Sequence, residues 1–297
     1  MKVLSLFDWI SCARIALERL GIKVDTYYAS EIDKYAIQVS EKNYPDIIHI
    51  GNVKDVSISD DIDLLIWWSP CQDLSIAKKD RKGLDWERSG LFREYLRILK
   101  EVKPTYFVLE NVASMSKEAR NIITQELWVE PIMINASLVS AQNRKRLFWA
   151  NIPNITLPED KGIMLTDVID TTVPEIYTYR RTYFRKNMSG KVPTLTANMG
   201  TGGNNIPYVI SSRQEHATIS ENKSTPLTSA MGMGGGHVPC ITIDWENWRK
   251  ITPKECERLQ GVPDNYTEWV SNSQRYKTLW NAFNVDVVAR ILSFIPR

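Results

Sequence analysis

One thiol and several carboxylates stand in this sequence where they could do chemistry. Cys71 sits in Ser69-Pro70-Cys71-Gln72, just after the apolar run Ile62 to Ile66. A cysteine at a strand end, facing the ligand side of a sheet, can act as a nucleophile through its thiolate. Taken alone, the same four residues also fit a bland buried cysteine. Glu110-Asn111-Val112 follows the next apolar run, Tyr106 to Leu109, and offers an acid, although a lone Glu-Asn fits a loop equally well. Phe7-Asp8 closes the first apolar run and Glu31 the second. Their order carries more than any member does. A ring with an acid, a second acid, a thiol and a third acid on the first, second, fourth and fifth strand ends form one constellation on one rim.

The elements that must position these residues alternate in type. Val3 to Phe7, Val24 to Ser30, Ile47 to Ile50, Ile62 to Ile66 and Tyr106 to Leu109 read as strands. Ser11 to Leu20, Asp33 to Asn43 and Leu91 to Val102 read as helices, stopped by Gly21, Pro45 and Pro104. Strands alternating with helices predict an α/β fold with a mostly parallel sheet and crossover helices. Ligands of such sheets bind beyond the carboxyl ends of the strands.

After about residue 160 the pattern changes. Residues 176 to 246 are rich in Thr, Ser, Asn, Gly, Tyr and Arg and show little helical periodicity. Leu195-Thr196, Met199-Gly200, Gly202-Gly203 and Pro207 recur as Leu227-Thr228, Met231-Gly232, Gly234-Gly235 and Pro239. Two units are too few for a solenoid, so a small β-rich domain is expected. Helical patterns return at Pro253 to Gln260 and Val285 to Ile295.

Composition narrows the class. Hydrophobic residues make up 43% and charged residues 24%, which excludes a disordered or collagen-like chain. No apolar run reaches the roughly 18 residues of a membrane span, and no signal peptide is read at the start. Cys12, Cys71, Cys240 and Cys256 lie far apart, and with three histidines they offer no metal-ligand spacing. The expectation is a reduced, intracellular, metal-free protein and a monomer. A net charge of +2 means that any nucleic-acid surface must be local.

Set in order, these blocks resemble the DNA cytosine-5 methyltransferases, with wording like phage and bacterial members close to the animal de novo type. The resemblance runs through Leu6-Phe7-Asp8, Glu31, Gly51-Asn52-Val53, Ser69-Pro70-Cys71-Gln72-Asp73-Leu74-Ser75 and Glu110-Asn111-Val112. It continues through Gln142-Asn143-Arg144-Lys145-Arg146, Arg249 to Pro253, Glu255, Arg258-Leu259-Gln260-Gly261, Pro263 and Asn281 to Val285. It implies a Rossmann-like S-adenosylmethionine-dependent methyltransferase fold with a small β-rich target-recognition domain. The catalytic domain would span 1–165 plus 247–297, and the recognition domain 166–246.

The resemblance also implies roles. Cys71 would add to C6 of cytosine, Glu110 would protonate N3, and Arg144 and Arg146 would hold the base, its phosphate or Glu110. A carboxyl sunk beside a base would have a raised pKa. The target base would be flipped out of double-stranded DNA. Phe7 would stack on the adenine of S-adenosylmethionine and Glu31 would bind its ribose. Asp8, Trp9, Ile10, Ser11, Cys12, Ile32, Asn52, Val53, Pro70, Leu91, Asn281 and Ala282 complete the expected cofactor contacts. Asn52 stands where the family usually has Asp, and its carbonyl oxygen can accept the same hydrogen bond. Cys12, Cys240 and Cys256 are otherwise expected to be structural.

DNA contacts are expected from Gln72, Ser75, Lys78, Lys79, Arg81 and Lys82 in a loop closing over the base, with a solvated charged loop as the plain alternative. Arg180, Arg181, Arg185 and Lys186 interleave with Tyr177, Tyr179, Tyr183 and Phe184 without one acid, which suits nucleic-acid contact. A plain β-rich surface fits that stretch too. A transfer-RNA cytosine methyltransferase shares these motifs, and a catalytically dead DNA-binding homologue is a further reading.

One feature breaks the pattern. There are ten tryptophans against only fourteen glycines. Trp9, Trp67, Trp68 and Trp280 stand where the family has glycine, and glycine is also expected at Trp86, Trp128 and Trp269. Glycine serves where backbone approaches a ligand or takes positive φ, so indoles there should be costly. Seven replacements by one rare residue point to a single cause. A source reading UGA as glycine, translated with a table in which UGA is tryptophan, produces this pattern. Returning the seven to glycine brings glycine to an ordinary share of about 7%. An inactivated or decayed enzyme is the other explanation.

Overall fold

The computed structural model describes residues 1–68, 90–170, 175–180, 183–186, 192–193, 207–210 and 248–296, with backbone alone for residue 90 and for the strands between 175 and 250. The chain forms two compact units. The first comprises Met1–Ala136, Lys145–Glu159 and Ala282–Arg297, and the second Ser137–Arg144 and Asp160–Asn281.

The first unit opens with β1 (Lys2–Leu6), α1 (Cys12–Arg19), β2 (Thr26–Ser30), α2 (Lys34–Asn43) and β3 (Ile48–His49). β4 (Leu64–Trp68), α3 (Gly90–Val102), β5 (Tyr106–Val112), α4 (Lys117–Leu127) and β6 (Ile132–Asn135) follow. After the two-residue β7 (Gln142–Asn143), which belongs to the second unit, β8 (Lys145–Ala150) completes the sheet. The seven strands run in the order β3-β2-β1-β4-β5-β8-β6. β8 is antiparallel to both its neighbours, and the first five strands are mutually parallel.

This is the mostly parallel sheet that the alternation of runs predicts. β4 reads Leu64-Leu65-Ile66-Trp67-Trp68 and is buried throughout, as a central parallel strand covered on both faces must be. Local signals set the helix starts. The Asp33 carboxylate accepts from the Tyr35 and Ala36 amides, and Ser116 Oγ accepts from the Ala119 amide, so both helices begin on capped orphan N–H groups. Leu4, Leu6, Leu65, Trp67, Tyr95, Ile98, Leu109, Leu147 and Trp149 belong to one buried cluster, which fixes the sheet against α3 and α4.

Two sequence expectations need correction. Glu110-Asn111-Val112 does not follow β5 but forms its last three residues. The segment stays extended because it finds an antiparallel partner, with Glu110 opposite Phe148 and Val112 opposite Arg146. The strand expected at Ile62–Ile66 runs instead from Leu64 to Trp68. Trp67 and Trp68 are paired with Leu109 and Glu110.

The second unit carries β9 (Glu175–Arg180), β10 (Tyr183–Lys186), β11 (Val192–Pro193), β12 (Pro207–Ile210) and β13 (Trp248–Lys250). β10, β9, β12 and β13 form an antiparallel sheet in that order, and β11 pairs with β7. Helices α5 (Pro253–Leu259) and α6 (Asn272–Asn281) follow. Thr252 and Glu255 make a reciprocal capping box with Pro253 in the first turn. The Gly-rich repeat lies outside the described residues except for Pro207, which opens β12. The chain then returns to the first unit through α7 (Val285–Leu292), which packs on α1.

Among the described residues no cluster of His, Cys, Asp and Glu could hold a metal ion. Nor is any described helix long and apolar enough to cross a membrane.

Candidate active site

The register of the sheet gathers the expected residues of the first unit on one edge. Leu6 pairs with Ser30 on one side and Trp67 on the other, and Trp68 pairs with Glu110. The residues just past β1 and β2 are therefore Phe7-Asp8 and Glu31. The strand leading into Ser69-Pro70-Cys71 is the direct neighbour of the one that carries Glu110. Residues 69–89 lie outside the description, and with them Pro70, Cys71, Gln72, Ser75, Lys78, Lys79, Arg81, Lys82 and Trp86.

Glu31 is the best-defined member. It is almost buried, and its Oε1 accepts the amides of Ile32 (2.7 Å) and Asp33 (2.8 Å) while its Oε2 accepts that of Trp9 (3.0 Å). Burial raises its pKa, and the three N–H groups pull it back. The neighbouring Ile32 side chain is 70% exposed. A bare apolar side chain beside a carboxylate pinned by backbone donors suits a nucleoside, with the acid at hydroxyls and the aliphatic surface against a base. The Phe7 ring packs edge-on against Trp67 at 4.8 Å. Asn52 uses its side-chain oxygen to cap the turn at Val53–Asp55 through the Lys54 amide, and Val53 is buried in the core. That oxygen keeps a second lone pair for another donor. Leu91, in α3, packs against the core, and Ala282 is buried.

Asp8 turns inward. Tyr27 donates to its Oδ1 (2.6 Å), and the Ser11 hydroxyl lies 2.5 Å from its Oδ2. Ser11 also lies 2.8 Å from the Ser40 hydroxyl, which donates to the Trp9 carbonyl (3.2 Å). Burial raises the Asp8 pKa, and the hydroxyls of Ser11, Ser5 and Tyr27 oppose the rise. Sequence reasoning missed Tyr27 and Ser40, since nothing in the local pattern of β2 or α2 shows which loop their hydroxyls reach. Ile10 and Cys12 are buried beneath the same loop.

Glu110 is 2% exposed at its side chain and forms an ion pair with Arg146, Oε1 to Nε, at 2.7 Å. In the second unit Arg144 is buried. Its Nη1 donates to the Trp280 carbonyl (3.2 Å) and its guanidinium lies over the Trp280 ring at 5.5 Å. The two arginines of the Gln-x-Arg-x-Arg block thus have different partners. Asn281 donates to the Lys277 carbonyl (3.1 Å) at the end of α6.

Arg180, Arg185 and Lys186 fall on the β9–β10 hairpin, where Tyr183 faces Arg180 and Lys186 faces Tyr177. Arg181 lies outside the described residues. Cys12 and Cys256 are buried and in no disulfide, and burial pushes the Cys256 thiol well up, away from reactivity.

Comparison with known proteins is consistent along the whole chain. A type II methyltransferase of Bacillus sp. strain RFL6, M.Bsp6I, is 28% identical over 98% of this chain and 97% of its own length. M.HpaII, a type II methyltransferase of Haemophilus parainfluenzae, is 28% identical over 96% of this chain and 86% of its own. The Dnmt2 methyltransferase of S. pombe shares the fold with a TM-score of 0.69 at 19% identity, covering 99% of this chain and 97% of that one. With the Rossmann-like sheet in place and the family model for C-5 cytosine-specific DNA methylases matching residues 1–297, the chain belongs to that family of DNA-methylating enzymes.

Proposed function

We propose that this chain transfers a methyl group from S-adenosylmethionine to C5 of a cytosine flipped out of double-stranded DNA, with Cys71 as the nucleophile. The observation that carries the reading is Glu110 held by Arg146 on the strand beside the one that leads into Cys71. Residues 1–165 and 247–297 would form the catalytic domain and 166–246 the recognition domain. Type II methyltransferase relatives favour a place in a restriction-modification setting, in the cytoplasm of a bacterial or phage-infected cell.

Glu31, Phe7, Ile32 and Asn52 would hold the nucleoside end of S-adenosylmethionine, and the pinned carboxylate beside an exposed aliphatic side chain fits that end. When bound, the cofactor supplies an electrophilic methyl group. The Cys71 thiolate adds to C6 of the ring. Glu110, which stands as a carboxylate against Arg146 in the free chain, would take up a proton as the base docks and give it to N3 as the ring takes up electrons, which makes C5 a nucleophile. Arg146 orients Glu110 for that contact. After methylation, a water would take the C5 proton, Cys71 would leave C6 as a thiolate by β-elimination, and N3 would return its proton to Glu110, which restores the ring. Lys78, Lys79, Arg81, Lys82, Arg180, Arg181, Arg185 and Lys186 would contact DNA phosphate and position the duplex.

Methyl transfer to duplex DNA and to transfer RNA, measured for the chain and for Cys71→Ser, tests the reading. Transfer to DNA that the substitution abolishes, with cofactor binding retained, is expected. Transfer to RNA alone, or turnover surviving in Cys71→Ser, would overturn it.

A further inference from the structure

The sites of four tryptophans suit another residue, two by backbone and two by packing. Among the described residues only seven non-glycine positions have φ in the left-handed region, and two of them are Trp9 (φ 52°) and Trp128 (φ 54°). A bulky side chain there is an outlier, whereas glycine adopts the conformation freely. Trp128 follows the last turn of α4, the place where helices end on a left-handed glycine. Its indole is 92% exposed, so no packing offsets the strain. Trp9 cannot relax either, because its N–H is held by Glu31 and its carbonyl by Ser40.

The β4 pair points the same way. The Trp67 indole is fully buried and its N–H has no partner. Trp149, equally buried in the same cluster, donates its indole N–H to Thr124 Oγ1 at 3.0 Å. A buried indole that belongs to its site finds an acceptor. Trp68 lies with its ring centroid 3.5 Å from that of Phe283, inside the roughly 4.5–7 Å of ordinary aromatic pairs. Trp269 and Trp280 have no left-handed φ, and Trp86 lies outside the described residues.

We propose that the functional polypeptide carries glycine at positions 9, 67, 68 and 128, and that its cofactor seat is open only in that form. The part concerning the cofactor rests on the proposed function; the part concerning residue identity rests on backbone and packing. Thermal unfolding of the full chain with Trp128→Gly and, separately, Trp128→Ala separates conformation from bulk. Glycine should raise Tm by about 2–4 °C, while alanine, still left-handed, should not. Equal effects of the two, or no rise with glycine, would overturn the assignment. Calorimetric binding of S-adenosylmethionine should be at least about tenfold tighter in the fourfold glycine form than in the tryptophan form. Equal affinities would refute the closed seat while leaving the stability result standing. In the gene, UGA at positions 9 and 128 supports the assignment and UGG there overturns it.

Discussion

Removing Arg146 should damage the first unit more than removing the whole ion pair. The side chains of Arg146 and Glu110 are 11% and 2% exposed, and their charged atoms are 2.7 Å apart. At an effective dielectric of about 20, that separation gives about 6 kcal/mol of attraction. Desolvating two ions costs several kcal/mol each, so the intact pair contributes little net stability. Arg146→Met takes away the attraction and leaves the Glu110 carboxylate buried without its guanidinium. The expected cost is about 3–5 kcal/mol at neutral pH. Glu110→Gln with Arg146→Met removes both charges, and most of that loss should be recovered. Urea unfolding of the four members of this cycle, at one pH and salt concentration, reads the coupling directly. A single-substitution cost below about 1 kcal/mol, or a double variant no more stable than Arg146→Met, would refute the buried pair.

Two further predictions concern the supporting structure. Asp8 has its pKa raised from the ordinary 3.8 by burial, so it stabilises the fold fully below that value and loses the contribution as pH rises through the raised value. Asp8→Asn, which cannot titrate, should flatten the dependence of Tm on pH across that window, and an unchanged slope would contradict a raised Asp8 pKa. Thr252→Ala removes the capping box of α5 and should cost about 0.5–2 kcal/mol in denaturant unfolding, whereas no loss would show that the cap is idle.

Strand ends were legible in the sequence because each closes a short apolar run followed by a polar residue, as at Leu6-Phe7-Asp8 and Ser30-Glu31. The capped start of α2 at Asp33 was legible for the same local reason. Glu110 was placed one step wrong because its extended conformation depends on β8, whose Phe148 pairs with it from far along the chain and is not announced by local pattern. Helix α4 and strands β6 and β8 went unread, and β8 is the strand that delivers Arg146 to Glu110. The interior of the Asp8 loop was equally hidden, since its partners Tyr27 and Ser40 come from β2 and α2. The tryptophan excess was visible from composition. Only φ and the partners of the buried indoles separate Trp149, which fits its site, from Trp9, Trp67, Trp68 and Trp128, which do not.

Bisulfite sequencing of duplex DNA incubated with S-adenosylmethionine and the form carrying glycine at 9, 67, 68 and 128 tests the central claim most directly. Cytosines in one recurring sequence context should resist conversion, and Cys71→Ser in the same background should leave every cytosine convertible. Full conversion of DNA alongside methylated cytosine in transfer RNA would contradict the account.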